Sequence, residues 1–151
     1  MLPIRYPSNQ PLYEKFPQTG ELNPFQRVEA LKTRAVDVGY NFKTGWDNPT
    51  VILNHLRTEI DEYEETIVNK ESKKRQLDEL GDVLYISTYA GLLQNLSPEK
   101  ALNHAVDKFI ARFHTMQKLI TQEQGNTSLE AVTPEQWKQL WKAAKQYLAL
   151  N

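Results

Sequence analysis

Cysteine is absent from this sequence, and that absence excludes several kinds of protein. None of the 151 residues can supply a thiolate for zinc or an iron–sulfur cluster, or half of a disulfide. Long hydrophobic runs are also missing: no apolar segment approaches the roughly 18 residues that span a bilayer, and the N-terminus lacks the apolar core of a signal peptide. We therefore expect a soluble, cytoplasmic protein.

An excess of charge of one sign is missing as well. The 18 basic residues nearly balance the 19 acidic ones. Such a balance gives no general attraction to polyanions, so neither nucleic acid nor a membrane surface is expected as a partner. The 40% of hydrophobic residues is enough to form the core of one domain.

The eight prolines indicate how the chain is organised. Four lie in the first 17 residues, which predicts an irregular N-terminal arm over residues 1-22, followed by a single domain over residues 23-151. The aromatic side chains of Tyr6, Tyr13 and Phe16 favour an arm that docks on this subunit or a partner. A disordered tail is the alternative.

Each of the other four prolines directly follows a good helix N-cap residue. The cap side chain accepts from a free backbone N–H, and proline needs no donor at the first helical position. Together with a fifth start at Ser72, these dipeptides predict helices over 24-38, 48-69, 72-95, 98-122 and 134-149, with a loop over 39-48. Because strand-like alternation is nowhere convincing, the predicted fold is all-α, a four-to-five-helix bundle.

The second predicted helix has apolar residues at helical period. They are Ile52, Leu56, Ile60, Tyr63 and Ile67. Such spacing predicts one apolar stripe that packs against the rest of the bundle. Helices this apolar are not all expected to be covered within so small a bundle, which favours a homodimer or homotetramer.

Two carboxylate pairs carry the first indication of chemistry. Glu59 with Glu62 and Glu79 with Asp82 each have i,i+3 spacing, which places both members on one side of a helix. Two like charges about 5 Å apart repel by about 3 kcal/mol at an effective dielectric of about 20. Four converging carboxylates therefore require cations or protons, and hard cations such as Mg²⁺ suit oxygen ligands.

Alternative interpretations exist for these pairs. Any single acidic pair can belong to a solvated helix face. The second pair, however, leads into the most apolar helix of the sequence, where an unpaired carboxylate is costly unless it binds a cation. A ferritin-type redox site is disfavoured, because none of the three histidines follows a glutamate by three positions.

Basic and aromatic residues supply candidate partners for an anion. Lys108 and Arg112 are neighbours on one helix flank and can neutralise phosphates, and Trp141 with Lys145 repeats the i,i+4 spacing on the last helix. Arg75 lies one turn before the second acidic pair. The alternatives are a solvated basic edge for the cations, core packing for Trp141 and an ordinary ion pair for Arg75.

These motifs together resemble the MazG nucleoside triphosphate pyrophosphohydrolases of the all-α NTP pyrophosphatase superfamily, over most of the chain. The family pattern E-E-x-x-E followed by E-x-x-D is matched by 58-62 (TEIDE) and 79-82 (ELGD). Similar too are 38-42 (VGYNF), 108-113 (KFIARF) and 140-145 (LWKAAK). Trp46 resembles the tryptophan of the family's loop before the first acidic helix.

The resemblance implies hydrolysis of a nucleoside triphosphate between its α and β phosphates, to give the monophosphate and pyrophosphate with Mg²⁺, or Mn²⁺, as cofactor. Nucleotide-pool house-cleaning is the implied role, and relatives are similar in being dimers or tetramers. The matching metal-ligand and catalytic positions are Glu59, Glu62, Glu79 and Asp82. The matching substrate-binding positions are Lys108, Arg112, Trp141, Lys145 and, where relatives often have lysine, Arg75.

Two positions depart from the family pattern. Thr58 replaces the first glutamate of E-E-x-x-E and cannot act as a base near neutral pH. Val106 stands where relatives often carry asparagine. Both departures leave the preferred nucleotide and the general base unassigned. They also keep a second hypothesis open, a non-catalytic nucleotide-binding or regulatory module.

Overall fold

The computed structural model describes residues 21-124 and 129-150, and within these ranges the chain is helical without an extended strand. The α-helices are α1 Pro24–Asp37, α2 Tyr40–Thr44, α3 Pro49–Val68, α4 Lys73–Leu93, α5 Pro98–Gln124 and α6 Pro134–Leu150, with a 3₁₀ turn at Leu129–Ala131. The all-α prediction is confirmed. Apart from its last two residues, the predicted N-terminal arm lies outside the described residues.

The chain divides into two compact units, Met1–Glu99 and Lys100–Asn151. The described part of the first unit contains α1 to α4, and the second contains nearly all of α5 together with α6. The single domain expected over 23-151 stays a prediction. No helix in the described part of the chain is both long and apolar enough to cross a membrane.

All five predicted helix starts are confirmed, and at four of them the cap side chain accepts from a backbone N–H of the first turn. Asn23 Oδ1 accepts from Gln26 N at 2.9 Å, and Gln26 returns a bond to the Asn23 backbone, which completes a capping box. The same box closes at the start of α6 between Thr133 and Gln136. Because these bonds join residues two or three positions apart, the short dipeptide signals were sufficient to place them.

The loop predicted over 39-48 contains a helix that the sequence did not indicate. α2 forms one turn between two glycines, Gly39 with φ +74° and Gly45 with φ +76°. Left-handed backbone of this kind is readily adopted by glycine and strained for other residues. The two glycines let the chain turn into and out of α2 and bring Trp46 back over the first unit.

The core of the first unit forms where α3 and α4 pack together. Ile52 of α3 and Ile86 and Tyr89 of α4 are buried at its centre. α1 adds Val28 to the edge of this cluster, and the segment between α2 and α3 adds Trp46. The packing of α3 on α4 therefore forms the centre of the unit.

The predicted apolar stripe of α3 is only partly correct. Ile52 is fully buried, whereas Ile60 is 46% exposed and Ile67 is 51% exposed. The inward face instead contains Glu59, half-buried, and Thr66, which is buried. Residues at i and i+7 share an angle on a helix, so Ile52, Glu59 and Thr66 form the inner row, and the two isoleucines lie about 100° away from it.

In the second unit, α5 and α6 meet through aromatic side chains. Phe109 and Phe113 of α5 contact the ring of Trp141 on α6, with centroids 5.3 and 6.0 Å away. Further along, Met116 and Ile120 of α5 are buried. The contact places the basic flank of α5 beside Trp141.

Candidate metal centre

The hairpin of α3 and α4 brings the two acidic motifs together. α3 ends at Val68 and α4 begins at Lys73 after a short turn, in which Glu71 N donates to Thr66 O at 2.9 Å. Glu59 and Asp82 lie equally far from this turn on the two helices. Since helices joined so closely pack antiparallel, the two carboxylates lie at the same level.

Three of the four predicted acidic residues converge. Glu59, Glu79 and Asp82 each offer a carboxylate oxygen, and these oxygens all lie within 4.8 Å of one another. The three residues differ in their exposure to solvent: Glu79 is only 2% exposed, Glu59 is half-buried and Asp82 is exposed. This geometry can hold a metal ion at the solvent boundary of the first unit.

Glu79 is the most unusual member, because a carboxylate is rarely so deeply buried. One oxygen, Oε1, is paired with the guanidinium of Arg75, one turn earlier on α4. The other, Oε2, is buried and has no hydrogen-bond partner in the described part of the chain. Buried polar atoms normally have a partner, so this oxygen fits the position of a ligand to a cation.

The electrostatics of Glu59 also reflect the convergence. Burial is the main cause that raises the pKa of the Glu59 carboxyl above its ordinary value. The charges of Glu62, Asp82 and Glu79 raise this pKa further. His55, one turn earlier on α3, lowers it. The unbalanced negative charge is what a divalent cation would neutralise.

Glu62 has a different position from the other three. It is exposed and is not one of the three residues whose oxygens converge within 4.8 Å. Its charge nevertheless acts on Glu59. Glu62 therefore lies at the rim of the acidic group, where it is available to water and to any ion that binds there.

An aromatic cluster lies one turn from the carboxylates and was not recognised as such from the sequence. The ring of Trp46 is 5.1 Å from Tyr89 and 5.5 Å from His55, between centroids. Tyr85 lies 6.1 Å from Tyr89, and burial raises the pKa of Tyr85 to about 12. Helical spacing is the sequence feature that indicates this proximity, because His55 precedes Glu59 by four positions and Tyr85 follows Asp82 by three.

The aromatic cluster is anchored from α2 by a buried amide. Asn41 is buried, and its Nδ2 donates to the hydroxyl of Tyr89. This bond joins the short helix before Trp46 to the C-terminal half of α4. Asn41 therefore has a structural role in the first unit, beyond the likeness of residues 38-42 to the family sequence.

The four predicted substrate-binding residues of the second unit lie on α5 and α6. The guanidinium carbon of Arg112 is 5.0 Å from the centre of the Trp141 ring and 5.6 Å from that of Phe109. Lys108 and Lys145 are exposed. The structure thus brings Arg112 and Trp141 together as a cation–π pair and leaves both lysines open to solvent.

Thr58 and Val106, the two residues that depart from the family pattern, lie on the faces of α3 and α5. The hydroxyl of Thr58 donates to the backbone carbonyl of Asn54 at 3.3 Å, one turn back on α3. Val106 is 47% exposed on α5. Neither residue takes part in the converging carboxylate group.

Comparison with known proteins gives one informative similarity. The chain is 27% identical over 132 residues to the nucleoside triphosphate pyrophosphohydrolase/pyrophosphatase MazG of Thermotoga maritima. The match covers 87% of this chain and 49% of the relative, so the chain spans about half the length of that curated protein. No protein-family model matches the chain, and no solved structure does. The similarity supports a MazG-like relation.

Proposed function

We propose that this protein hydrolyses nucleoside triphosphates between the α and β phosphates, releasing the nucleoside monophosphate and pyrophosphate, with Mg²⁺ or Mn²⁺ as cofactor. The observation that carries the proposal is the convergence of Glu59, Glu79 and Asp82 within 4.8 Å from two helices. The similarity to a MazG pyrophosphohydrolase over most of the chain supports the same reaction class.

The three carboxylates fit a hard divalent cation. They supply only oxygen, the donor that Mg²⁺ and Mn²⁺ prefer, and one of those oxygens is buried without another partner. Arg75 pairs with Glu79 Oε1 and so holds that carboxylate in one orientation. Glu62 is proposed to complete the ligand set from the rim. When bound, the metal would lower the pKa of a coordinated water and offset charge that develops on the phosphate oxygens.

The residues of the second unit are proposed to bind the substrate. Lys108 and Arg112 carry positive charge for the phosphates, with Arg112 held against Trp141 at 5.0 Å. Trp141 and Lys145 are proposed to contact the base and a phosphate. The stacking on Trp141 limits the rotamers of Arg112, which lowers the entropy lost when a phosphate binds.

Proton transfer from the attacking water is proposed to fall to a carboxylate of the acidic group. Thr58 has no basic group, and its hydroxyl is bonded to the backbone of its own helix. Tyr85 stays protonated at neutral pH, since its pKa is raised to about 12. Neither side chain can therefore replace the missing glutamate as a base.

The proposed enzyme takes part in nucleotide-pool house-cleaning and assembles as a homo-oligomer. Self-association is supported by the large apolar side chains that stay exposed on the described helices, among them Leu53, Ile60, Leu77, Leu84 and Phe113. Single exposed apolar residues are ordinary, but rows of them on one helix are typical of interfaces.

Conservative removal of the acidic ligands tests the proposal. We expect Glu79→Gln and Asp82→Asn to abolish pyrophosphate release from nucleoside triphosphates with Mg²⁺ while the circular dichroism spectrum is retained. Glu65→Gln is the matched control, because Glu65 is exposed on α3 and lies outside the converging group. Full activity in both ligand variants would contradict the assignment.

A non-catalytic nucleotide-binding module is the second candidate, favoured by Thr58 in place of a family glutamate. Calorimetry with a slowly hydrolysed triphosphate analogue, beside a turnover assay, separates the two functions. Binding together with turnover supports the enzyme. Binding without turnover of any standard or modified nucleotide supports the module.

A further inference from the structure

α3 carries a row of exposed apolar side chains that the first unit does not use. Leu53, Ile60 and Ile67 are 44%, 46% and 51% exposed. They are spaced seven residues apart, which keeps them within about 40° of one another over four helical turns. We call these three residues the α3 stripe.

The α3 stripe faces away from the core and from the carboxylate group. On the helix, its centre lies about 80–100° from the inner row of Ile52 and Glu59. α4 also exposes two leucines at the same spacing, Leu77 at 68% and Leu84 at 60%. Rows of aliphatic residues at seven-residue spacing are the pattern by which helices pack on other helices.

The charges beside the α3 stripe indicate which helix would cover it. Arg57 and Glu64 are both exposed, and both lie on the same flank of the stripe. Arg57 precedes Ile60 by three positions and Glu64 follows it by four. If a second α3 runs antiparallel across the first with Ile60 at the crossing, each Arg57 faces the Glu64 of the other copy.

This arrangement is self-complementary. The two-fold axis places Ile60 against Ile60, and Leu53 of each copy against Ile67 of the other. A two-fold axis places each of these charges opposite the charge of the other sign in the second copy. The placement of Arg57 and Glu64 on one flank therefore favours a second copy of α3 as the occupant of the stripe.

We propose that the α3 stripe is a self-association surface on which α3 of a second copy of this chain packs antiparallel, with reciprocal ion pairs between Arg57 and Glu64. The proposal names the surface and register of the oligomer put forward above. It rests on that oligomer alone and is independent of the chemistry at the carboxylates.

Charge reversal tests the register directly. Arg57 and Glu64 are two helical turns apart, roughly 10 Å along the axis, and so cannot pair within one chain. We expect Arg57→Glu and Glu64→Arg each to weaken dimerisation by roughly tenfold at low salt, as two reciprocal attractions become repulsions. Sedimentation equilibrium over a range of protein concentrations measures the change.

Mixing the two single variants is the decisive measurement. An equimolar mixture of Arg57→Glu and Glu64→Arg has opposite charges at both contacts, and so has the double variant. Both are expected to recover the wild-type dissociation constant. Glu65→Arg, the same charge change on another face of α3, is the matched control and should leave dimerisation unchanged.

Ile60→Asp provides a second variant, because it places two carboxylates at the two-fold axis and should give a monomer. If this variant does not fold, the reversals at the two exposed charged positions still decide the question. A wild-type chain that stays monomeric, a dimer insensitive to all these changes, or a mixture that fails to recover would each overturn the proposal. None of these outcomes depends on turnover, so the proposed reaction is judged separately.

Discussion

Replacing Glu59 with glutamine should have opposite effects on stability without and with metal. In the metal-free protein, the Glu59 carboxylate lies within 4.8 Å of two others. Each such pair of charges repels by about 0.9 kcal/mol at the dielectric of water and about 3.5 kcal/mol at an effective dielectric of 20. Because Asp82 is exposed and Arg75 offsets Glu79, values near the lower limit apply.

We therefore expect Glu59→Gln to stabilise the metal-free protein by about 1 kcal/mol, or about 2–4 °C in Tm for a chain of this size. With metal bound, the wild type should instead be more stable than the variant. A cation at 100 times its Kd stabilises the wild type by about 2.7 kcal/mol, a gain that the variant should largely lose. Thermal unfolding in EDTA and in saturating Mn²⁺ measures both effects.

The dependence on pH has a definite sign. Because the pKa of Glu59 is raised in the folded protein, the folded state favours the neutral carboxyl. The free-energy cost of the charged carboxylate, which comes from its burial and from repulsion by its neighbours, is absent below the ordinary pKa of a glutamate and complete above the raised one. In EDTA, the advantage of the glutamine variant should thus appear as pH rises through that interval.

Glu65→Gln is the control, since this residue is exposed on the same helix and outside the acidic group. It should match the wild type in both buffers. A Glu59→Gln variant that is less stable than wild type in EDTA and gains as much from Mn²⁺ would refute the account of the carboxylates as a metal site.

Two further substitutions test the core and the proposed substrate contacts. Ile52→Ala removes a fully buried side chain that packs on Ile86 and Tyr89. It should lower the free energy of unfolding, measured by denaturant titration, by about 2–5 kcal/mol. A loss below about 1 kcal/mol would contradict this packing. Trp141→Leu removes the ring beneath Arg112, so it should raise KM about fivefold with a smaller change in kcat. Trp141→Phe keeps an aromatic ring and should stay near the wild-type KM. Equal KM values in all three proteins would exclude the stacking role.

Features set by neighbours in sequence were predictable. The dipeptides Asn48-Pro49 and Thr133-Pro134 give helix starts through bonds to groups two or three residues away. The all-α fold followed from such starts together with the absence of alternating strands. The i,i+3 carboxylate pairs likewise predicted a shared direction on each helix, and three of the four residues do converge.

Features set by packing between helices were not predictable in the same way. Hydrophobic period alone does not distinguish two adjacent rows on α3. It predicts Ile60 and Ile67 on the inner face, whereas Glu59 and Thr66 occupy that face in the structure. The contact of Trp46 with Tyr89 depends on a helical turn between two glycines, and the sequence pattern does not predict it either. Such contacts depend on which helix lies opposite, and one sequence does not carry that information locally.

The identity of the reaction products tests the central claim most directly. The protein is incubated with a nucleoside triphosphate and Mg²⁺, and the products are followed by phosphorus NMR. Cleavage between the α and β phosphates gives the monophosphate and pyrophosphate, and both should be absent with Asp82→Asn and present with Glu65→Gln. Release of the diphosphate with inorganic phosphate, or unchanged products with Asp82→Asn, would contradict the account.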